Sequence, residues 1–127
     1  MPRTAELPNL IPAWLSIDVY RGDSFTLRAQ MRTHGYPVDV SDWTFMSHIR
    51  DSANSETIIA IFDVYKLHPN IGVLQLLLTS DQSELLPSFA VWDLQTKSKG
   101  KVRTVIRGDI TVMADVSREK RSINVRP

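Results

Sequence analysis

The chain has 127 residues, of which 43% are hydrophobic and 23% are charged, a composition typical of a single globular domain. It contains no cysteine, which excludes a disulfide scaffold, a thiolate zinc site and a thiol nucleophile. A net charge of +1 provides no chain-wide attraction for nucleic acid or for an anionic membrane. Residues 1–10 lack the charged start and continuous apolar stretch of a secretion signal, and no later apolar run reaches membrane-spanning length. We therefore expect one compact domain that binds neither nucleic acid nor membrane.

Apolar and polar residues alternate over several short stretches, which is the period of half-buried β-strands. A β-branched and aromatic run at residues 57–65 indicates a further strand. Only one helical signal occurs: Asp81 is followed three residues later by Glu84, as in a helix cap, and Pro87 ends the turn. The predicted strands, in chain order, are residues 15–20, 25–32, 43–50, 57–65, 73–78, 90–95, 102–107 and 110–116.

These strands and their short turns predict an all-β fold, specifically an antiparallel immunoglobulin-like β-sandwich of seven to eight strands with one short helical turn. A small barrel is the alternative, because strand spacing does not distinguish a closed sheet from two packed sheets. The sandwich domain is predicted over residues 13–116. Residues 1–12 carry three prolines and are predicted to form an extended N-terminal arm, whereas residues 117–127 are predicted to form a basic C-terminal tail.

The tripeptide Arg-Gly-Asp occurs twice, at residues 21–23 and 107–109, which raises the hypothesis of an integrin-binding loop. Integrin recognition needs this tripeptide at the tip of a protruding loop, but strand-like sequence flanks both copies directly. A glycine between two alternating runs is typical of a tight turn or a bulge. We therefore interpret the two copies as strand-to-strand corners.

Three tryptophans, Trp14, Trp43 and Trp92, raise a second hypothesis, a sugar-stacking platform like that of a carbohydrate-binding module. Trp43 and Trp92 lie in register with apolar strand residues, which predicts that both pack in the core. Trp14 precedes the first predicted strand, where it either closes the end of the domain or anchors an arm on a neighbour.

No pattern of residues indicates catalysis. His34, His48 and His68 show no ligand spacing, and the aspartates form no calcium loop, so we expect no metal and no cofactor. Nucleophile elbows, phosphate-binding glycine loops and dinucleotide fingerprints are absent from the sequence, so we expect no catalytic residues and no enzyme activity. Asp93 lies in the middle of a predicted strand and needs a partner, such as an arginine, if it is buried.

Several turn and core segments, which together span nearly the whole chain, carry a resemblance to known proteins. They are VYRGDSF (19–25), PVDVSDWTF (37–45), IRD (49–51), LTSDQSELLP (78–87), VWDL (91–94), VRTVIRG (102–108) and TVMADVSR (111–118). These segments resemble small β-sandwich proteins encoded among the structural genes of tailed bacteriophages, both tail and baseplate domains and capsid decoration proteins. This resemblance implies virion membership rather than a particular chemistry.

The resemblance has one departure. Tail and baseplate relatives often join such a domain to a long helical or receptor-binding region, whereas this chain ends at Pro127. This departure favours a stand-alone accessory subunit of the virion, either a minor capsid (decoration) protein or a small tail or baseplate component. Such a subunit is expected to be assembled into the particle in the host cytoplasm. The alternative is a carbohydrate-binding adhesion module on the virion.

The two terminal segments are predicted to dock on partners. Other virion proteins, the major capsid or tail subunits, are the expected partners, and we expect a homo-oligomer or a symmetric array on the particle, where many copies multiply a modest contact. Apolar anchors would be buried while basic side chains meet acidic partner surfaces. The predicted docking residues are Leu7, Leu10, Ile11, Trp14, Arg118, Lys120, Arg121 and Arg126.

Overall fold

The computed structural model describes residues 3–7 and 12–114. Within these ranges the chain forms ten strands, a 3₁₀ turn at Pro69–Ile71 and one short helix, α1, at Ser80–Glu84. The strands are β1 Arg3–Leu7, β2 Ala13–Trp14, β3 Ile17–Tyr20, β4 Phe25–Thr33, β5 Tyr36–Pro37, β6 Thr44–Arg50, β7 Ala60–His68, β8 Val73–Leu78, β9 Phe89–Ser98 and β10 Lys101–Met113.

The strands form one continuous sheet that curls into a half-barrel, in the order β1-β4-β8-β7-β6-β9-β10-β2. In addition, β3 pairs with β10 and β5 pairs with β4. The long strand β7 makes the sheet continuous, because residues 60–62 pair with β6 and residues from Asp63 onward pair with β8. The fold is therefore mostly β with almost no helix, as predicted.

The predicted immunoglobulin-like sandwich of two separate sheets is not what the structure shows. Alternation of apolar and polar residues reports which face of a strand is buried, but not which strand lies beside it. A strand that pairs with different neighbours along its length, as β7 does, has the same sequence pattern as a strand that belongs to a single sheet. The curled sheet is more similar to a small barrel, the alternative fold that strand spacing did not exclude.

The sequence predicted antiparallel pairing throughout, but some of the strand pairs are parallel. Pairing is parallel between β1 and β4, between β2 and β10, and between β3 and β10. Alternation carries no information on strand direction, so this difference could not be read from the pattern. Residues 3–7, which fall within the predicted N-terminal arm, form β1 on the sheet of their own chain rather than extending away from it.

The core lies on the inner side of the curl. Trp92 is 3% exposed, its indole Nε1 donates a hydrogen bond to the Leu15 carbonyl at 3.2 Å, and its ring meets Phe62 edge-on at 5.3 Å. Burial of each large apolar side chain contributes roughly 1.5–3 kcal/mol, so this inner layer carries most of the stability. Its largest fully buried apolar members are Met31, Ile49, Leu74, Leu76, Leu78, Leu94, Ile106 and Ile110.

The helical turn predicted around Asp81 and Glu84 is present as α1. Its cap is Thr79, whose Oγ1 accepts a hydrogen bond from the Gln82 backbone N–H at 3.2 Å, while Asp81 lies in the first turn. The buried Ser83 accepts a hydrogen bond from the Gly22 N–H at 2.8 Å, which ties α1 to the turn between β3 and β4. In the part of the chain that is described, neither helical segment has the length and apolar character needed to cross a membrane.

Candidate functional site

Strands β6, β9 and β10 have two contrasting faces. Alternate residues point into the core, apart from a bulge in β10 where both Val105 and Ile106 are buried, and the residues between them form what we call the outward face. Cross-strand partners share a face, so the pairs Phe89–Thr111 and Met46–Gln95 both belong to it. Strands β2 and β3 pair with β10 and extend the outward face. Large apolar side chains on this face are 47–60% exposed. They are Trp14, Tyr20, Met46, Phe89 and Val102.

A cleft of about 390 Å³ opens on the outward face. One row of cross-strand neighbours crosses it: His48 on β6 pairs with Asp93 on β9, Asp93 pairs with Arg107 on β10, and Arg107 pairs with Trp14 on β2. Arg50 lines the cleft one row away. The register of four strands thus gathers an indole, two guanidinium groups, an imidazole and a carboxylate, which come from separate parts of the sequence.

Trp14 forms one wall of the cleft and is 59% exposed. Its indole Nε1 donates a hydrogen bond to Ser16 Oγ at 3.2 Å, and the Cζ atom of Arg107 lies 5.8 Å from the centre of the ring. This separation is close to the outer limit of about 6 Å for a cation–π contact. The ring is therefore oriented by the protein while much of its surface remains open to solvent.

The three tryptophans do not form a common platform. Trp92 is buried in the core, and Trp43 packs against the core with its ring centre 6.2 Å from that of Phe45. The prediction that these two residues pack in the core is confirmed. Trp14 alone of the three lies on the outward face.

Asp93 is the unusual carboxylate of the cleft. Its Oδ1 has less than 1 Å² of exposed surface and accepts no hydrogen bond from the described residues. The sequence predicted a partner such as an arginine, but the cross-strand neighbour Arg107 has its guanidinium over the Trp14 ring and donates no hydrogen bond to this oxygen. A buried acceptor without a partner costs about 1–3 kcal/mol, so a donor that reached Oδ1 would bind favourably.

The two Arg-Gly-Asp copies have different structures. The first is a turn, as predicted: the Asp23 N–H donates to the Tyr20 carbonyl at 3.0 Å, and Gly22 has a φ of 92°. The Arg21 Nε donates to the Leu86 carbonyl at 3.0 Å, so this arginine is tied to the domain.

The second copy was predicted to be a corner, and this prediction is wrong because β10 runs unbroken through residues 107–109. Its Gly108 instead allows close approach of another segment, since a Cβ there would lie 1.6 Å from the Leu15 carbonyl oxygen. The second copy is therefore not in a loop, and the arginine of the first copy is bonded to the domain, so both observations argue against the integrin hypothesis.

Of the docking residues predicted from the sequence, Trp14 is the one whose side chain the structure places, on the outward face. Leu7 belongs to β1, of which the backbone pairing with β4 is described. The remaining predictions, which include the basic tail from residue 117, concern positions outside the described residues. These positions are Leu10, Ile11, Arg118, Lys120, Arg121 and Arg126.

Sequence reasoning missed His48, Arg50 and Arg107 as members of a site. Each was assigned to a strand or a turn, and only strand register brings them to Asp93 and Trp14. The signal that pointed to this region was Asp93 itself, a carboxylate in the middle of an apolar strand. Within residues 3–7 and 12–114, no three His, Cys, Asp or Glu side chains are grouped so as to hold a metal ion.

The fold and this site define a class: a curled β half-barrel domain with a cleft on its outward face. No protein-family model matches the sequence, and no curated protein matches it. Among solved structures, the chain is similar to the N-terminal domain of phage TP901-1 ORF48. This match has 15% sequence identity and a TM-score of 0.50, and it covers 87% of this chain and 94% of the other. At this identity the likeness is one of fold, and it links the architecture to a phage protein.

Proposed function

We propose that this protein is a structural component of a bacteriophage virion, which binds other virion proteins without catalysing a reaction. The observation that carries this proposal is the match of nearly the whole half-barrel to a domain of a phage protein. Fold alone does not establish function, so the proposal also needs a surface suited to protein contacts.

The outward face supplies such a surface. Protein interfaces are enriched in aromatic residues, methionine and arginine, and Tyr20, Met46, Phe89 and Arg107 are all exposed there. Tyr20 and Phe89 lie on the same side of the sheet near the end of β10, where Met113 pairs with Tyr20 and Thr111 pairs with Phe89. These two aromatic side chains are the proposed anchors of the contact.

The more specific role that we propose is an accessory subunit, either a minor capsid (decoration) protein or a small tail or baseplate component. Its partners would be major capsid or tail subunits, and a symmetric array on the particle would multiply each weak contact. The basic residues of segment 117–127 are proposed to meet acidic surfaces of these partners. Particle cohesion would be the result.

Gradient-purified particles of the phage that encodes this chain provide the test. We expect the protein to co-purify with them, and we expect Phe89→Lys to lower its incorporation by about tenfold because a charge would replace an aromatic side chain that the proposed contact buries. Tyr36→Lys is the matched control, since Tyr36 is an exposed aromatic residue on β5, away from the outward face. Absence of the protein from particles, or equal loss with both folded variants, would contradict the proposal.

A further inference from the structure

We infer that the cleft beside Trp14 binds an acidic saccharide, a small sugar carrying a carboxylate or a phosphate group. This inference goes beyond the virion role and rests on different observations. They are the open indole of Trp14, the unpartnered oxygen of Asp93 and the two arginines, Arg50 and Arg107. Each accounts for one part of such a ligand.

The indole of Trp14 provides the stacking surface. The apolar face of a pyranose ring packs on a flat aromatic side chain, and the Trp14 ring is already oriented by its hydrogen bond to Ser16. Arg107 occupies the ring at 5.8 Å, a weak contact that is worth about 0.5–1 kcal/mol at an exposed site. A sugar ring can therefore replace the guanidinium on the indole at low cost.

Asp93 provides the hydrogen-bond acceptor. Saccharide hydroxyl groups are donors, and Oδ1 of Asp93 is an acceptor without a partner among the described residues. Because this oxygen has less than 1 Å² of exposed surface, a hydroxyl reaches it only when a neighbouring side chain moves. Arg107 is exposed and lies directly across from Asp93 on the next strand, so it is the neighbour whose displacement from the indole is proposed to give the sugar access to the carboxylate as well.

The two arginines account for the acidic group. Arg50 lines the cleft and its Nη1 donates to the Ser55 carbonyl at 3.3 Å, which holds this guanidinium in place beside the loop. Arg107 is the more exposed member of the pair. The two arginines and the single carboxylate, Asp93, leave an excess of positive charge in the lining of the cleft. Guanidinium groups bind carboxylates and phosphates through paired hydrogen bonds. A neutral sugar would leave this charge uncompensated.

The size of the cleft sets the length of the ligand. Its volume of about 390 Å³ is near the lower end of the range of about 300–1,000 Å³ for small-molecule pockets. We therefore expect a monosaccharide or a disaccharide unit to occupy it. The acidic group would come either from a uronic acid or from a sugar phosphate, which share the recognition chemistry described above.

Titration of the full chain followed by tryptophan fluorescence and calorimetry tests this inference. The probes are D-glucuronic acid and glucose 6-phosphate, with glucose as the neutral control and sodium phosphate as the bare-anion control. We expect saturable binding of at least one acidic sugar with a Kd below about 10 mM, and binding about tenfold weaker for both controls. Which acidic sugar binds more tightly identifies the source of the acidic group.

Variants of the cleft complete the test. Trp14→Ala and Asp93→Leu should each weaken the calorimetric affinity by about tenfold or more, the second because leucine has no acceptor oxygen. Asp63→Leu, at a half-buried carboxylate on β7 that does not line the cleft, should leave the affinity unchanged. The inference is overturned if neither acidic sugar binds, if glucose or sodium phosphate binds as tightly as the acidic sugars, or if both cleft variants retain full affinity. Incorporation of Asp93→Leu into particles reports separately on the virion role.

Discussion

The inward and outward faces of β6, β9 and β10 are built from alternate residues of the same strands, yet they have different tasks. Inward residues such as Leu94 and Ile106 are almost completely buried, whereas Asp93 and Arg107, their neighbours on the other face, line a cleft. We expect apolar burial on one face to be sufficient for the stability of the sheet, which leaves residues on the other face available for binding. Mutations on the two faces should therefore separate stability from binding.

The largest expected effect is on the inward side, at Gly108. Its replacement by alanine would place a Cβ 1.6 Å from the Leu15 carbonyl oxygen, which is backbone and cannot rotate away. We expect a loss of more than about 4 kcal/mol in the free energy of unfolding, or no folded protein. Gly100→Ala is the control: nothing lies near its Cβ, and its φ of 79° should cost only about 1–2 kcal/mol. Urea denaturation measures both, and equal losses would contradict this reading of Gly108.

Leu94→Ala and Met46→Ala compare the two faces directly. Leu94 is fully buried, so truncation should lower the free energy of unfolding by about 2–5 kcal/mol. Met46 is exposed on the outward face, so the same truncation should change it by less than about 0.5 kcal/mol. Comparable losses in urea denaturation would mean that the outward face also carries the fold.

Asp93 is the residue of the outward face whose side chain is expected to lower the free energy of unfolding. Asp93→Leu removes a buried oxygen without a partner, so the free energy of unfolding should rise by about 1 kcal/mol. Ser47→Ala is the opposite case, because the Ser47 Oγ donates to the Asp93 carbonyl at 2.6 Å and its loss should cost about 1 kcal/mol. A marked destabilisation by Asp93→Leu would show that Asp93 has a structural partner after all.

The smallest effect is expected at Asp39, a carboxylate that has the partners Asp93 lacks. The Ser41 hydroxyl and then its backbone N–H donate to this carboxylate, and they lower the pKa of Asp39 below its usual 3.8. The resulting stabilisation is present above the usual pKa and is lost as the pH falls through the lowered one. In an NMR titration, Ser41→Ala should raise the pKa of Asp39 toward 3.8, and no change would contradict this cause.

The sequence was sufficient for most of the strands, for the helical turn at α1 and for the burial of Trp92, because period-two alternation reports directly on the core. It missed β1 and wrongly divided β10 at Gly108. It was insufficient for the shared strand β7 and for the parallel pairs, since neither partner nor direction is encoded in alternation. Asp93 was recognisable as a misfit in its strand. Its neighbours His48 and Arg107 were not recognisable, because strand register alone brings them together.

A photo-activated cross-linking residue placed at position 89 tests most directly whether the outward face binds the virion. Assembled particles would be irradiated and the cross-linked products identified by mass spectrometry, with the same residue at position 36 as the comparison. We predict products that join position 89 to another virion protein, and far fewer from position 36. Cross-links from position 36 alone, or none from either position in particles that contain the protein, would contradict the account.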